Sequence, residues 1–317
     1  MNFQDFKSQT PIMKFFQQKL TLILATLPEL KELEISNVDI LPQGMETLHL
    51  IKALTNSKIE KLSLNSVLTK YSSFYFSEYL AKTKNLVEIQ CTGLSEVGIV
   101  SSFVLYLKNH PNLVSLNFSN NVLSTGDCEG ISEFLQSENK IKYLNLSNVK
   151  MTTESCNTIG LALRKVTCLE TILFNNCQIT PEAFNFLLNR NTATCLKRIE
   201  LNNNKIGDMG IAGMFTYLKG NPNVKYLSIH ACGMTLQSFF VMKMVLGTSL
   251  LKDVEVHLEN NVGIETNDLP QQFGMDNLLE QKGIKLYLLK DRFSDKAIEE
   301  LKGKKEIVFV TIGKKGK

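Results

Sequence analysis

The sequence repeats itself at intervals of 27 to 29 residues. In the copy that begins at Leu113, apolar residues Leu113, Leu116, Phe118 and Leu123 stand at offsets 0, 3, 5 and 10, with Asn121 at offset 8. The same offsets recur from Leu30, Ile59, Leu86, Ile141, Leu169, Leu196 and Val224, and in a degraded ninth copy from Leu251. Successive starts lie 29, 27, 27, 28, 28, 27, 28 and 27 residues apart. A period of this length marks stacked supersecondary units, each burying its apolar face against the next. Insertions of arbitrary length would not keep such a register.

Between the phrases, apolar residues recur at helical spacing, as in Ile131, Phe134 and Leu135, or Ile211, Met214, Phe215 and Leu218. Each unit therefore reads as a short strand, a turn and a helix. Offsets 3 and 5 differ by two, so both side chains point to one face of the strand, toward the helix, and offsets 2, 4 and 6 point the other way. Stacked strands sit ~4.8 Å apart while packed helices need ~8–10 Å. The expectation is an α/β solenoid curved into a horseshoe, with a parallel β-sheet on its inner wall and helices outside.

Leu196, Ile199, Leu201, Asn204 and Ile206, followed by Gly207, Asp208 and Gly210, follow the pattern LxxLxLxx(N/C)x(L/I). This resembles the ribonuclease-inhibitor type of leucine-rich repeat. It is also similar to the repeats of Ran GTPase-activating proteins, of tropomodulin-like actin regulators and of eukaryote-like effectors secreted by intracellular bacteria. The resemblance covers residues 30–262 and implies a leucine-rich-repeat solenoid that binds proteins; it does not by itself fix an activity. In the family, the Asn or Cys at offset 8 hydrogen-bonds neighbouring backbone. Asn121, Cys177, Asn204 and Cys232 keep that position, whereas Val38, Val67, Leu94 and Val149 replace it, so looser turns are expected in the first half. Cys91, Cys177 and Cys232 are expected to be packing elements.

A solenoid needs capped ends. Residues 1–29, with Ile12, Phe15, Phe16, Leu20, Ile23, Leu24 and Leu27 near helical spacing, read as an N-terminal helical cap. Beyond residue 262 the period fails. Within 263–317, Gly283 to Leu289 reads as a strand, Ser294 to Leu301 as a helix with Ser294 as its N-cap, and Ile307 to Ile312 as a second strand, together a C-terminal cap or a separate small module.

Composition narrows the function classes. No stretch reaches the roughly 18 unbroken apolar residues of a membrane span, and no basic segment precedes an apolar one near Met1. Seven cysteines without a CxxC argue against a disulfide framework and a zinc knuckle, and a reducing compartment, the cytoplasm, is expected; for a secreted effector it would be the host cytosol. The net charge of +4 is concentrated in residues 282–317, where 11 basic and 5 acidic residues fall. The lysines at 302, 304 and 305, and at 314, 315 and 317, read as solvated ends, with an acidic partner or peripheral binding to a phospholipid membrane as the sharper alternative. No GxSxG, HExxH, GxxxxGK[ST] or GxGxxG motif occurs, so neither an enzyme nor a cofactor is indicated. Resemblance to the GTPase-activating relatives implies an Arg in an early loop, yet the first 120 residues contain none.

The inner wall is the candidate recognition surface. Offsets 2 and 4 carry charged and small residues in the first third, whereas Tyr143, Leu173, Arg198, Glu200, Tyr226 and His230 gather in repeats five to eight. His230 and His257 both fall at offset 6 by this count, side by side, with Glu255 at offset 4; a third metal ligand is missing, and no metal is assigned. Aromatic and Arg anchors among polar groups are what protein interfaces favour. The expected function is a non-enzymatic scaffold, monomeric when free, that binds a folded protein on its concave face and inhibits an enzyme partner by covering its active site. A regulator of small GTPases or of actin is the alternative. Nucleic acid is not expected, because the wall lacks a basic track with interleaved aromatics, and no small-molecule substrate is expected.

Overall fold

The computed structural model describes residues 2–3, 10–37, 45–68, 70–94, 96–108, 110–188, 195–270 and 279–311. The chain divides into two compact units, Met1–Val149 and Lys150–Lys317. In the first, strands β1 (Asn2–Phe3), β2 (Glu32–Ser36), β3 (Lys61–Asn65), β4 (Glu88–Thr92), β5 (Ser115–Asn117) and β6 (Tyr143–Asn145) pair in chain order, all parallel. Between them run α1 (Thr10–Thr26), α2 (Met45–Asn56), α3 (Lys70–Lys82), α4 (Ile99–Val104) and α5 (Thr125–Gln136). The second unit begins with α6 (Thr153–Leu163) and continues β7 (Thr171–Leu173), α7 (Pro181–Leu187), β8 (Arg198–Glu200), α8 (Gly207–Lys219), β9 (Tyr226–Ser228), α9 (Leu236–Thr248) and β10 (Glu255–His257). Strand β11 (Lys285–Leu289), helix α10 (Asp295–Leu301) and strand β12 (Ile307–Val310) complete it, and β7 to β12 again pair parallel in chain order. Each unit is thus a run of leucine-rich-repeat coils, an α/β solenoid.

The core follows the repeat. Offsets 3 and 5 are buried throughout, from Leu33 and Ile35 through Leu116 and Phe118 in the first unit, and from Ile172 and Phe174 to Leu227 and Ile229 in the second. They meet buried helix residues such as Phe103, Phe134, Phe184, Phe215 and Phe239. Phe76, Phe103 and Phe118 pack edge to face, with centroids 5.7 and 5.9 Å apart. Helices also approach closely where glycine allows it: a β-carbon on Gly160 of α6 would lie 2.0 Å from the Phe186 carbonyl oxygen of α7.

One backbone device recurs at offset 7, where Asn37, Ser66, Gly93, Asn120, Asn148, Asn176, Asn203, Ala231 and Asn260 all have φ between 52° and 64°. Six of the nine are Asn, the non-glycine residue best suited to left-handed backbone. The kink ends the strand and aims an N–H at the next coil: Asn37 donates to Asn65 O at 2.8 Å, Asn120 to Ser147 O at 2.9 Å, Asn176 to Asn202 O at 2.7 Å and Asn203 to His230 O at 2.9 Å. At offset 8, Asn204 Nδ2 donates to Phe174 O and Leu201 O, and its Oδ1 accepts from Cys177 N and Ile179 N. Asn121 serves Cys91 O, Phe118 O and Leu94 N in the same way. Cys232 substitutes with a thiol donor, Sγ lying 3.2 Å from Leu201 O, and burial pushes that thiol up to about 12.

In the first half the offset-7 kink is kept at Asn37, Ser66, Gly93, Asn120 and Asn148, and β2 to β4 run for five residues in continuous register. Val38 lies outside the described residues. The ninth coil is in phase two residues later than its Leu251 start suggests: Asn261, not Glu259, takes the ladder position, bonding Ile229 O, Leu258 O, Cys232 N and Met234 N. Asp253, at φ 53°, absorbs the extra length. In α1, Leu20 and Leu24 are buried, but Phe15 and Leu27 are exposed; the side chains of Ile12 and Phe16 lie outside the described residues. The last strand stops at Val310; residue 312 and the lysines at 314, 315 and 317 are likewise outside them.

Buried Asp127 ties two coils together. Its carboxylate accepts from Gly98 N and Ser101 N at 2.8 Å each, and from Ser124 N at 2.9 Å and Ser124 Oγ at 2.7 Å. Burial by itself raises its pKa, but these donors outweigh burial and hold the group below the ordinary carboxylate value. Its stabilisation is present above the unfolded pKa of about 4 and is lost as pH falls through the lower folded value. Urea unfolding of Asp127→Asn should therefore show a loss of ~1–3 kcal/mol at pH 7 that shrinks on acidification toward pH ~2. Asn204→Ala, which strands two buried amides and two carbonyls, is expected to cost ~3 kcal/mol or more in the same assay, and Gly160→Ala to destabilise by forcing α6 and α7 apart.

Candidate recognition surface

In the second unit, the strand face opposite the core carries a row of rings and charges set by the parallel register. Thr171 lies beside Arg198, Arg198 beside Tyr226, and Tyr226 beside Glu255. Leu173, half-buried, lies beside Glu200, then come Ser228, His257 and Tyr287. Arg198 places its guanidinium 3.6 Å from the centroid of the Tyr226 ring. The Tyr226 and His257 rings are 4.8 Å apart, and His257 stacks on Tyr287 at 4.1 Å and 11°.

Arg198, Glu200, Ser228, Glu255, His257 and Tyr287 are each held by a second contact. Glu200 accepts from Arg198 Nε at 2.8 Å and Nη2 at 2.5 Å, and its other oxygen accepts from Asn175 Nδ2 at 2.9 Å. Tyr287 OH donates to Glu255 Oε1 at 3.2 Å. His257 Nδ1 lies 2.9 Å from Glu259 Oε1, so the carboxylate places the proton on Nδ1. Asn202 Oδ1 accepts from Ser228 Oγ at 2.6 Å and from His230 N at 2.9 Å. Asn260 Nδ2 sits 3.2 Å from His230 Nε2, which therefore accepts. Burial first, opposed by the Arg198 charge and reinforced by Glu200, raises the pKa of Tyr226; burial and then Glu255 raise that of Tyr287.

The two-residue shift of the ninth coil changes the histidine pair. His257 stands beside Ser228 and Tyr287, not beside His230, and Glu255 stands at offset 2, beside Tyr226. His230 and His257 instead line a depression of about 370 Å³ with Asn202, Asn203, Ser228, Glu259, Asn260, Leu289 and Val310. Among the described residues no group of three or more His, Cys, Asp or Glu could hold a metal ion. A carboxylate-backed imidazole is also the base of a nucleophilic pair, but Ser228, the hydroxyl directly alongside His257, gives its proton to Asn202.

In the first unit the equivalent face is of another kind. Glu32, Glu34, Lys61, Ser63, Glu88, Gln90, Ser115 and Asn117 line a hollow of about 710 Å³ that ends at Lys142 and Tyr143. Lys61 and Glu32 pair at 3.0 Å, and Asn117 Nδ2 donates to Gln90 Oε1 at 2.9 Å. Glu32, and then Glu88, raise the pKa of Lys61. Tyr143 belongs to this polar hollow, and the other seven sequence-derived candidates belong to the second unit.

Tyr287, Glu259, Asn202 and Asn175 were not among the candidates. Tyr287 lies on a strand outside the recognised repeats, Glu259 falls at offset 8 when the ninth coil is counted from Leu251, and Asn175 and Asn202 stand at offset 6. An Asn at offset 6 beside a left-handed residue at offset 7 is a signal that the sequence does carry.

No family model matches the sequence. No curated protein matches it. Among solved structures, a chain from the crystal structure of the Rad7 and Elc1 complex in yeast is similar to it, with 14% identity and a TM-score of 0.47, covering 92% of this chain and 80% of that chain. Among the described residues no helix is long and apolar enough to cross a membrane.

The electrostatics of the row can be read at Tyr226. Replacing Glu200 with Gln removes a charge that opposes phenolate formation and frees Arg198 to favour it, so the Tyr226 pKa should fall; NMR titration of ring-labelled tyrosine in Glu200→Gln and the parent protein measures this.

Proposed function

We propose that the protein is a non-enzymatic scaffold that binds a folded partner protein on the core-distal face of β8 to β11. The observation that carries this reading is the unbroken stack of Arg198, Tyr226, His257 and Tyr287 across four neighbouring strands. Aromatic and Arg side chains dominate binding hot spots, and here Arg198, Tyr287 and His257 are fixed before a partner arrives by Glu200, Glu255 and Glu259. A surface ordered in advance loses little side-chain freedom on association. The depression beside His230 and His257 offers a seat for one inserted side chain.

The period of 27 to 29 residues with a helix in most coils, and the Asn and Cys ladder at offset 8, support assignment of the repeats to the ribonuclease-inhibitor type. By the same reading, an enzyme partner is inhibited by having its active site covered.

The test starts from a partner captured on the immobilised protein and verified by calorimetry. Tyr226→Ala, Tyr287→Ala and Arg198→Ala should each weaken binding by roughly 10-fold to 100-fold while leaving the unfolding transition near that of the parent. Tyr143→Ala tests the first unit's hollow separately. Unchanged affinity in all three second-unit variants would remove the surface from consideration.

A further inference from the structure

We propose that Cys168 and Cys195 form a redox-active thiol pair on adjacent coils of the second unit, at which a low-molecular-weight disulfide oxidises the protein. Each cysteine immediately precedes the first apolar residue of its repeat, Leu169 and Leu196. The two coils are locked in register just beyond them: Lys197 N and Arg198 N both donate to Glu170 O, at 2.8 and 3.0 Å, and Thr171 lies opposite Arg198. Counting back three residues from the Thr171–Arg198 pair on each coil puts Cys195 opposite Cys168, at about one strand spacing if that register continues. That spacing, ~4.8 Å, falls inside the 4.4–6.8 Å range of Cα separations that a disulfide spans. The Cys195 thiol already reaches across the gap, with Sγ 3.8 Å from Val166 O on the segment that carries Cys168.

Exposure sets this pair apart. Cys91, Cys128, Cys156, Cys177 and Cys232 are buried, whereas Cys168 and Cys195 are half-exposed, so a dissolved reagent reaches these two first. Burial, and to a lesser degree charge on Cys168, push the Cys195 thiol up. Cys195, its thiol held up, is therefore placed as the resolving cysteine.

The exchange balances without any further reactant. The Cys168 thiolate attacks one sulfur of a disulfide such as oxidised glutathione and expels the first small thiolate, leaving a mixed disulfide on Cys168. Cys195 then loses its proton to water, attacks the Cys168 sulfur and expels the second small thiolate. Two electrons and two protons have passed from the protein to the small disulfide, and one coil is covalently fastened to the next.

The full-length protein, incubated with oxidised glutathione, alkylated under denaturing conditions and digested, should lose two of its seven thiols. It should also yield one cross-linked peptide pair, joining Cys168 to Cys195, that dithiothreitol reverses. Cys195→Ser should leave glutathione attached at Cys168 in place of the cross-link. The proposal is overturned if all seven thiols are still alkylated in a reaction that oxidises a control dithiol, if glutathione persists on either cysteine of the parent protein, or if the cross-link involves another cysteine. The readout on the parent protein does not depend on the variant folding.

Discussion

The left-handed residue at offset 7 is the joint on which both units are built. Parallel strands need about 4.8 Å between neighbours, and every buried amide at a coil's corner needs an acceptor. The kink answers both requirements at once, by ending a strand and by turning its N–H onto a carbonyl of the following coil, as from Ser66 to Thr92 and from Ala231 to Glu259. Each coil thus depends on its successor for backbone satisfaction as well as for apolar cover. The side chains at offset 8 add to this joint and do not create it, which is why Val67 is tolerated where Asn121 or Asn204 stands elsewhere.

A rigid sheet converts sequence position into surface position with little latitude. Within the second unit, Arg198, Tyr226, His257 and Tyr287 come from four strands and yet stack within van der Waals range, because register alone brings them level or diagonal. The carboxylates beneath them do the orienting. Glu200 holds the guanidinium over the Tyr226 ring, and Glu259 holds the imidazole that Tyr287 stacks on. In the first unit the same frame carries Lys61, Glu32, Gln90 and Asn117, which pair among themselves and leave a polar hollow. Fold and surface chemistry are separable here: the inward offsets are nearly constant and the outward ones vary freely.

That separation also governs how much was legible in the sequence. The coils could be read because Leu116, Ile199 and their equivalents have no alternative to burial, and the recurring interval places every strand. Six of the wall residues from Leu173 to His257 lie on the expected face for the same reason. What escaped depended on local backbone. The ninth coil offered apolar residues at both candidate phases, Val254 and Val256 or Val256 and Leu258, all of them buried, so burial could not choose between them. The choice is made by Asp253 in left-handed backbone and by the reach of Asn261, and with it went the placement of His257 and Glu255. Tyr287 was hidden because β11 follows a connection of different length, and only pairing shows which strand it joins.

The phase change at Asp253 has a consequence for how such a surface is rewritten. Side chains alternate between core and wall, so a strand that slips by two residues along its own sequence keeps apolar groups in the interior while presenting a different set outside, and a slip of one would turn the coil inside out. The ninth strand offers Val254, Val256 and Leu258 to the core, so both even phases fill it, and the phase adopted decides that His257 meets Ser228 and not His230.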